Sequence, residues 1–285
     1  VINPSAGREK KIGSVGVAET TKNIYVIGGG PAGLEVARVA AERGHQVSLF
    51  ESSSRLGGQM RLAAESRQSN EMLAPLNWWE AELKLLGVTI HLGHTISPQD
   101  KISADIVIWA IGSQASGSSI RRFRPFLFDS IPGTDGLPYS REVLANKVSP
   151  YGRVLIIDEE SGWPAVSVTR KVANLENVKS LMVTTTDRAL LGESVITHTL
   201  ETGHESQLLD DDKISIRYQT AIAKVDGDYA YTITNEKLGP FNTIILSTGT
   251  SSRQIPEAAI AVGDCVAPRD IWSAVNDAYS LARTI

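Results

Sequence analysis

Short apolar runs alternate with amphipathic stretches from residue 24 to about 113. Ile24-Tyr-Val-Ile27, Val47-Ser-Leu-Phe50, Val88-Thr-Ile-His91 and Ile106-Val-Ile-Trp109 read as strands. Between the second and third lies a helical stretch from Asn70 to Leu86, where Leu73, Leu76, Trp79, Leu83 and Leu86 recur at three- and four-residue steps. Of the adjacent pair Trp78 and Trp79, the spacing puts one in the core of this helix and the other at its rim. A second series opens at Arg153-Val-Leu-Ile-Ile157, passes a helix near Ala165–Ala173 and reaches a strand at Ser180–Thr184. Then follow Ile214–Tyr218, a hairpin of Ala221–Val225 and Tyr229–Thr234 across Asp226-Gly227, and a return through Thr243–Gly249 to Ala259–Asp264. A helix from about Ile271 to Ala282 closes the chain. Strands alternating with helices predict parallel sheets with helices packed on them.

Two segments break the pattern. Residues 1–22 show no sustained periodicity and suit an arm or linker. Residues 113–150 are rich in Ser, Pro, Gly and Arg and read as a connecting region. Their one basic cluster, Arg121-Arg122-Phe123-Arg124, suits a solvated loop better than an anion site.

The chemistry concentrates where the first strand ends. Gly28-Gly29-Gly30-Pro31-Ala32-Gly33 is a turn too tight for side chains. Gly28 permits the turn, Gly30 lets backbone approach a diphosphate, and Gly33 lets the helix pack close to the strand. The helix opening at Pro31 and Ala32 aims its free N–H groups and positive dipole end at the phosphates. Glu51 stands 23 positions after Gly28, where a carboxylate accepts from ribose hydroxyls, with Ser52 beside it. No residue reads as a catalytic acid, base or nucleophile.

The second βαβ unit supplies its own contrast. At the place of the glycine turn stands Asp158-Glu159-Glu160-Ser161-Gly162-Trp163. All three functional glycine positions are gone, carboxylates stand where a diphosphate would sit, and Trp163 falls at the helix-packing position. Like charges at contact distance in a partly dry site cost several kcal/mol. The second unit is therefore expected to keep the architecture without binding a nicotinamide dinucleotide.

Composition narrows the remaining classes. The 285 residues are 42% hydrophobic, enough for one large or two medium α/β domains. The net charge of −4 and the lack of a long basic run argue against nucleic acid. No apolar run reaches membrane-spanning length and no signal-peptide pattern opens the chain, so a cytoplasmic protein is expected. The single cysteine, Cys265, excludes internal disulfides, a dithiol redox pair and an all-cysteine metal site within this chain, and suits a buried small residue beside the nucleotide. The five histidines (His45, His91, His94, His198, His204) offer no metal-ligand spacing beyond one i, i+3 pair.

These motifs, in this order, resemble two-dinucleotide-binding-domain flavoproteins: Gly28-x-Gly30-x-x-Gly33, Glu51, Leu56-Gly57-Gly58-Gln59, Ala110-Ile-Gly112, Ser247-Thr-Gly249 and Val262-Gly263-Asp264. In that superfamily the terminal Gly-Asp meets the ribityl chain and pyrophosphate of FAD, so Asp264 matches a ribityl-binding carboxylate, and the resemblance implies further nucleotide contacts at Gly58, Gln59, Thr95, Ala110, Gly112 and Gly263. Asn3-Pro-Ser-Ala-Gly-Arg-Glu9 and Gly263-Asp-Cys-Val-Ala-Pro-Arg269 are similar to the C-terminal portion of iron–sulfur flavoproteins related to old yellow enzyme. That group includes trimethylamine, dimethylamine and histamine dehydrogenases, betaine and N-methylproline demethylases, and 2,4-dienoyl-CoA reductase. Their N-terminal barrel carries FMN, a four-cysteine cluster follows, and this chain would start just after it.

The resemblance implies a three-layer α/β fold of two Rossmann-like domains in a glutathione-reductase-like arrangement, the second inserted in the first. Residues 1–21 would be a linker arm from the missing region. The FAD- or ADP-binding domain would comprise 22–150 and 241–285, and the degenerate NAD(P)-binding-like domain 151–240. The implied function is a flavin-dependent redox module of an FMN and iron–sulfur oxidoreductase acting on a methylated amine or betaine. Two alternatives stay open: a structural ADP-binding module of the same kind of enzyme, as in trimethylamine dehydrogenase, and an enoyl reductase module of the dienoyl-CoA type. The implied partners are the chain's own barrel and cluster region, further copies of the parent enzyme and an electron-transfer flavoprotein.

Overall fold

The computed structural model describes residues 2–12, 14–67, 70–117, 130–190, 208 and 210–285. The basic cluster at 121–124 and the histidines at 198 and 204 lie outside the described residues. Two compact units emerge, one of Val1–Gln114 with Ser251–Ile285, the other of Ala115–Thr250.

The first unit begins with a short helix, α1 (Glu9–Ile12), and centres on a parallel sheet. Its strands are β1 (Asn23–Ile27), β2 (Gln46–Glu51), β3 (Thr89–Leu92), β4 (Ile106–Trp109) and β14 (Ile260–Ala261), in the order β14-β4-β1-β2-β3. Every pairing is parallel. Helices α2 (Pro31–Glu42), α3 (Gln59–Arg67), α4 (Ala74–Leu85) and α7 (Ile271–Ala282) belong to the same unit. Strand β1 buries both faces by its two-residue period. Ile24 and Val26 meet the core shared with α2, α4 and α7, while Tyr25 and Ile27 meet Phe50 and Trp109 on the opposite side. Small Ala37 and Ala40 lie fully buried on α2 beside Leu34 and Val36. Burying each large apolar side chain contributes about 1.5–3 kcal/mol.

One charged network sits inside this core. Glu35 is buried, takes a bidentate pair from Arg38 and accepts the indole N–H of Trp79 at 2.9 Å. Trp79 is fully buried while Trp78 is 44% exposed, with the Arg38 guanidinium over its ring. The N-terminal segment is tied down as well. Ile2, Ile12 and Val15 pack on the core, and Arg8 donates to Asn276 Oδ1 on α7.

The chain leaves the first unit through β5 (Ser113–Ala115) and returns through β13 (Thr250–Ser252). The second unit holds helix α5 (Ser140–Leu144) and a parallel sheet of β6 (Gly152–Asp158), β7 (Val178–Thr185), β8 (Ile214–Arg217) and β12 (Thr243–Ser247), ordered β12-β6-β7-β8. Helix α6 (Trp163–Ala173) and α5 cover one face through Val154, Ile156, Val166, Val172 and Val183. On the other face Leu155, Ile157 and Leu246 meet a small antiparallel sheet of β9 (Ile222–Asp226), β10 (Tyr229–Thr232) and β11 (Lys237–Leu238). This unit thus has three layers, and part of the Ser- and Pro-rich stretch before residue 150 packs within it. Both units are mixed α/β with parallel sheets, the first in a Rossmann-like order. Among the described residues no helix is long and apolar enough to cross a membrane.

Candidate functional site

In the first unit three residues, Gly28 to Gly30, join β1 to α2. Gly28 has φ +110°, and a Cβ there would lie 2.4 Å from the Ala110 carbonyl oxygen. A Cβ on Gly33 would lie 1.9 Å from the Gly28 carbonyl oxygen, so only glycine lets α2 approach the strand. Gly30 is different. A Cβ on it meets nothing within 4 Å, so the space above it is open. The N-cap of α2 is Gly30, no side chain caps it, Pro31 follows, and no acidic residue occupies the first turn. The orphan N–H groups of that turn thus have no capping side chain, and the helix dipole makes such a start favourable to negative charge.

Glu51 ends β2 underneath this turn and is buried. Its Oε2 accepts the Gly29 N–H at 2.7 Å, and its Oε1 accepts the Ser53 N–H at 2.7 Å and the Ser52 hydroxyl at 3.2 Å. The carboxylate therefore also clamps the turn to the loop after β2, a role the motif spacing does not announce. Thr95 lies exposed in the loop after β3, which is held to β2 by His94 N–H donating to Glu51 O at 2.9 Å.

The left-handed pair Gly57 and Gly58 brings the next segment over the turn, with Gly58 so close that its Cβ would lie 3.3 Å from Gly30 Cα. Gln59 starts α3 there, and its amide donates to Ser113 Oγ at 2.9 Å. Ser113 Oγ in turn donates to Asp264 Oδ2 at 3.1 Å. Gly112 has φ +70° just before, and Gly263 has φ +73° with room for no Cβ, since Ala32 Cβ would be 2.9 Å away. The Asp264 carboxylate also accepts the Arg269 N–H at 3.2 Å through Oδ1. Unlike α2, the nearby helix α7 is filled at its start, because Asp270 accepts the Ser273 N–H at 2.7 Å. Gly28, Gly30, Pro31, Ala32, Gly33, Glu51, Ser52, Gly58, Gln59, Ala110, Gly112, Gly263 and Asp264 thus line a continuous feature of one unit. The sequence reading missed Ser53 and Ser113, which carry no motif of their own. Cys265 is buried and donates to the Trp109 and Val262 carbonyls at 3.3 and 3.1 Å, and burial pushes its thiol pKa up.

In the second unit five residues, 158–162, separate Ile157 from Trp163 at the start of α6. Strand β6 runs on through Asp158 and the four-residue turn 159–162 is one longer than its counterpart, so α6 starts two places later than a position-by-position comparison puts it. Trp163 is the first residue of α6, and Ala165, fully buried, takes the close-packing place that Gly33 holds in α2. Asp158 Oδ1 accepts the N–H groups of Glu160 and Ser161, both at 3.1 Å. Register sets Ser247, Asp158 and Thr185 side by side across three strands. Burial pushes Asp158 up to about 7 against the opposing pull of the Thr185 hydroxyl and the Ser161 N–H. Burial also raises Glu160, opposed by Arg141 and Ser247. Glu159 is buried as well.

Residues 7–123 match the family described as pyridine nucleotide-disulphide oxidoreductase. The chain is 33% identical over 175 residues to a probable N-methylproline demethylase of Rhizobium meliloti, a match over 60% of this chain and 24% of that protein. It is 35% identical over 156 residues to the N,N-dimethylglycine/sarcosine dehydrogenase of Chromohalobacter salexigens, over 54% of this chain and 22% of that one. The solved structure of the 6-hydroxypseudooxynicotine amine oxidase of Pseudomonas geniculata N1 superposes with a TM-score of 0.85 at 25% identity, over 99% of this chain and 45% of that one. The matched regions span about a quarter of the two sequence relatives and under half of the solved chain. These are relatives of the group that the motifs resemble, and the match is consistent with its C-terminal module.

Proposed function

We propose that this chain is the FAD-binding redox module of a larger flavin-dependent oxidoreductase whose substrate is a methylated amine or a betaine. The relatives named above support the class. The observation that carries the reading is the cradle of the first unit: glycine is enforced at Gly28 and Gly33 by backbone contact, yet Gly30 faces open space. Among the described residues nothing demands glycine at Gly30, whereas a diphosphate would.

The residues present fit that group. Gly28 to Gly33 and the uncapped start of α2 would hold the diphosphate, Glu51 with Ser52 the adenosine ribose, and the loop at Thr95 would flank the adenosine end. Gly58, Gln59, Ala110, Gly112 and Gly263 would line the flavin end, where Asp264 would take a ribityl hydroxyl. FAD bound there supplies electron transfer, and this chain's own residues bind, orient and partly shield it. No side chain at the site stands ready to move a substrate proton, so substrate oxidation belongs in this reading to an FMN barrel and a four-cysteine cluster elsewhere in the parent protein. The acidic turn of the second unit supports a module that takes no nicotinamide dinucleotide.

Denaturing the purified chain and identifying the small molecule released tests the reading. A yellow protein that releases FAD is expected. A colourless protein releasing ADP would replace redox work with structural bracing by the same cradle.

A further inference from the structure

We propose that Ser113 is a positioning residue that gives this site its preference for FAD over ADP, by holding Asp264 where a ribityl hydroxyl must meet it. The inference rests on the reading of Asp264 given above. Ser113 is buried at the junction of β4 and β5, and its Oγ stands between two side chains from distant segments, Gln59 at 2.9 Å and Asp264 Oδ2 at 3.1 Å. A serine hydroxyl has one proton to give. Because the Gln59 amide donates to Oγ, that proton is committed to the Asp264 carboxylate. The order of donation therefore runs one way, from Gln59 through Ser113 to Asp264.

The other contacts of Asp264 come from its own neighbourhood. Oδ1 takes the Arg269 N–H at 3.2 Å, and the Asp264 carbonyl takes the Ser252 hydroxyl at 2.9 Å. Each carboxylate oxygen is thereby pinned by one internal donor, while its remaining lone pairs stay available to a ligand hydroxyl. Removing the Ser113 hydroxyl frees the carboxylate to turn about its χ2 and leaves the Gln59 amide without its acceptor. Glu51, which with the glycine turn would hold the adenosine diphosphate, bonds to Gly29, Ser52 and Ser53, whereas the relay joins Gln59, Ser113 and Asp264. Its loss should therefore be felt only by a ligand with a ribityl chain.

The test titrates the nucleotide-stripped 285-residue chain with FAD, followed by quenching of flavin fluorescence, and with ADP, followed by calorimetry. For Ser113→Ala the FAD Kd should rise about tenfold, the size of losing a hydrogen bond to a charged group, while the ADP Kd stays within twofold. Ser113→Thr, which keeps the hydroxyl, should restore FAD binding and the fine structure of the bound flavin's visible band. Equal weakening of FAD and ADP by Ser113→Ala would make the residue merely structural and overturn the proposal. Unchanged FAD affinity in Ser113→Ala, alongside a loss in Asp264→Asn, would overturn it while sparing the role of Asp264. A wild-type chain that binds FAD no better than ADP would remove both the proposal and the reading beneath it.

Discussion

The turns that open α2 and α6 begin their helices almost identically and differ in what precedes them. Both helices have a glycine N-cap, Gly30 and Gly162, with no side-chain cap and a proline in the first two positions. A helix N-terminus is therefore common to the two and decides nothing. In the first turn the strand passes into glycines packed against the Ala110 and Gly28 carbonyls. In the second, Asp158 turns its own carboxylate back on the N–H groups of Glu160 and Ser161. The second unit has thus supplied its own hydrogen-bond acceptor, where the first turn carries only glycines. Glycine is dispensable there as well, for a Cβ on Gly162 would come no nearer than 3.7 Å to the Pro164 ring.

The largest separation between the two turns should come from adding a side chain to each helix start. Gly33→Val forces a Cβ against a backbone carbonyl, which is not a flexible neighbour, and should destabilise the first unit by about 5 kcal/mol. Gly162→Ala meets ordinary space and an extended backbone, and should change stability by no more than about 0.5 kcal/mol. Urea unfolding of both variants checks the pair. Similar losses would mean that the two turns are under the same steric constraint.

Next in size is that self-supplied acceptor. The Asp158 carboxyl, at about 7 in the folded chain against 3.8 for an ordinary aspartate, holds its proton longer than in the unfolded chain. Between about pH 4 and pH 7 the folded state therefore binds more protons, so stability falls as pH rises through that window and stays low above it. The full effect is roughly 4 kcal/mol. Glu160, raised by burial, slopes the same way. Asp158→Asn keeps an Oδ1 for both N–H groups and cannot ionise. Its unfolding free energy measured from pH 4 to pH 8 should fall less steeply than that of the wild type. Parallel profiles would remove Asp158 from the account.

The same contrast shows what a sequence reveals. The first turn was legible because its constraint is local: glycine, strand and carboxylate follow one another at fixed spacing, and Glu51 ends β2 against the backbone of Gly29. The helix from Ile271 to Ala282 was legible for the same reason, its apolar stripe being uninterrupted. The exact place of Trp163 was not, because two extra residues before the helix, one in the strand and one in the turn, shift every later position without altering any periodicity. Ser113 was invisible, since its meaning comes from Gln59 and Asp264, 54 and 151 residues away. Glu35 reads as one charge on an amphipathic helix, and beside its pair with Arg38 it is Trp79, 44 residues on, that completes its buried surroundings. Local sterics are written in spacing, whereas buried polar partnerships are written in the tertiary fold.

Gly30 offers the finest division between a residue the fold needs and one a ligand needs. Gly28 and Gly33 cannot separate these roles, because replacing either disturbs the backbone before any ligand arrives. Gly30 can, since its Cβ direction is open and its φ of −79° suits any residue. Gly30→Val should leave the unfolding midpoint of the nucleotide-free chain within the small range of surface substitutions. Its side chain would nevertheless stand where a diphosphate approaches, so nucleotide affinity should fall by about 100-fold, or about 2.7 kcal/mol. Parallel melts of free chains and calorimetric titrations with ADP measure the two quantities separately. A variant that binds ADP as the wild type does would show that the open space above Gly30 is not where phosphates go, and the difference between the two turns would then be one of packing alone.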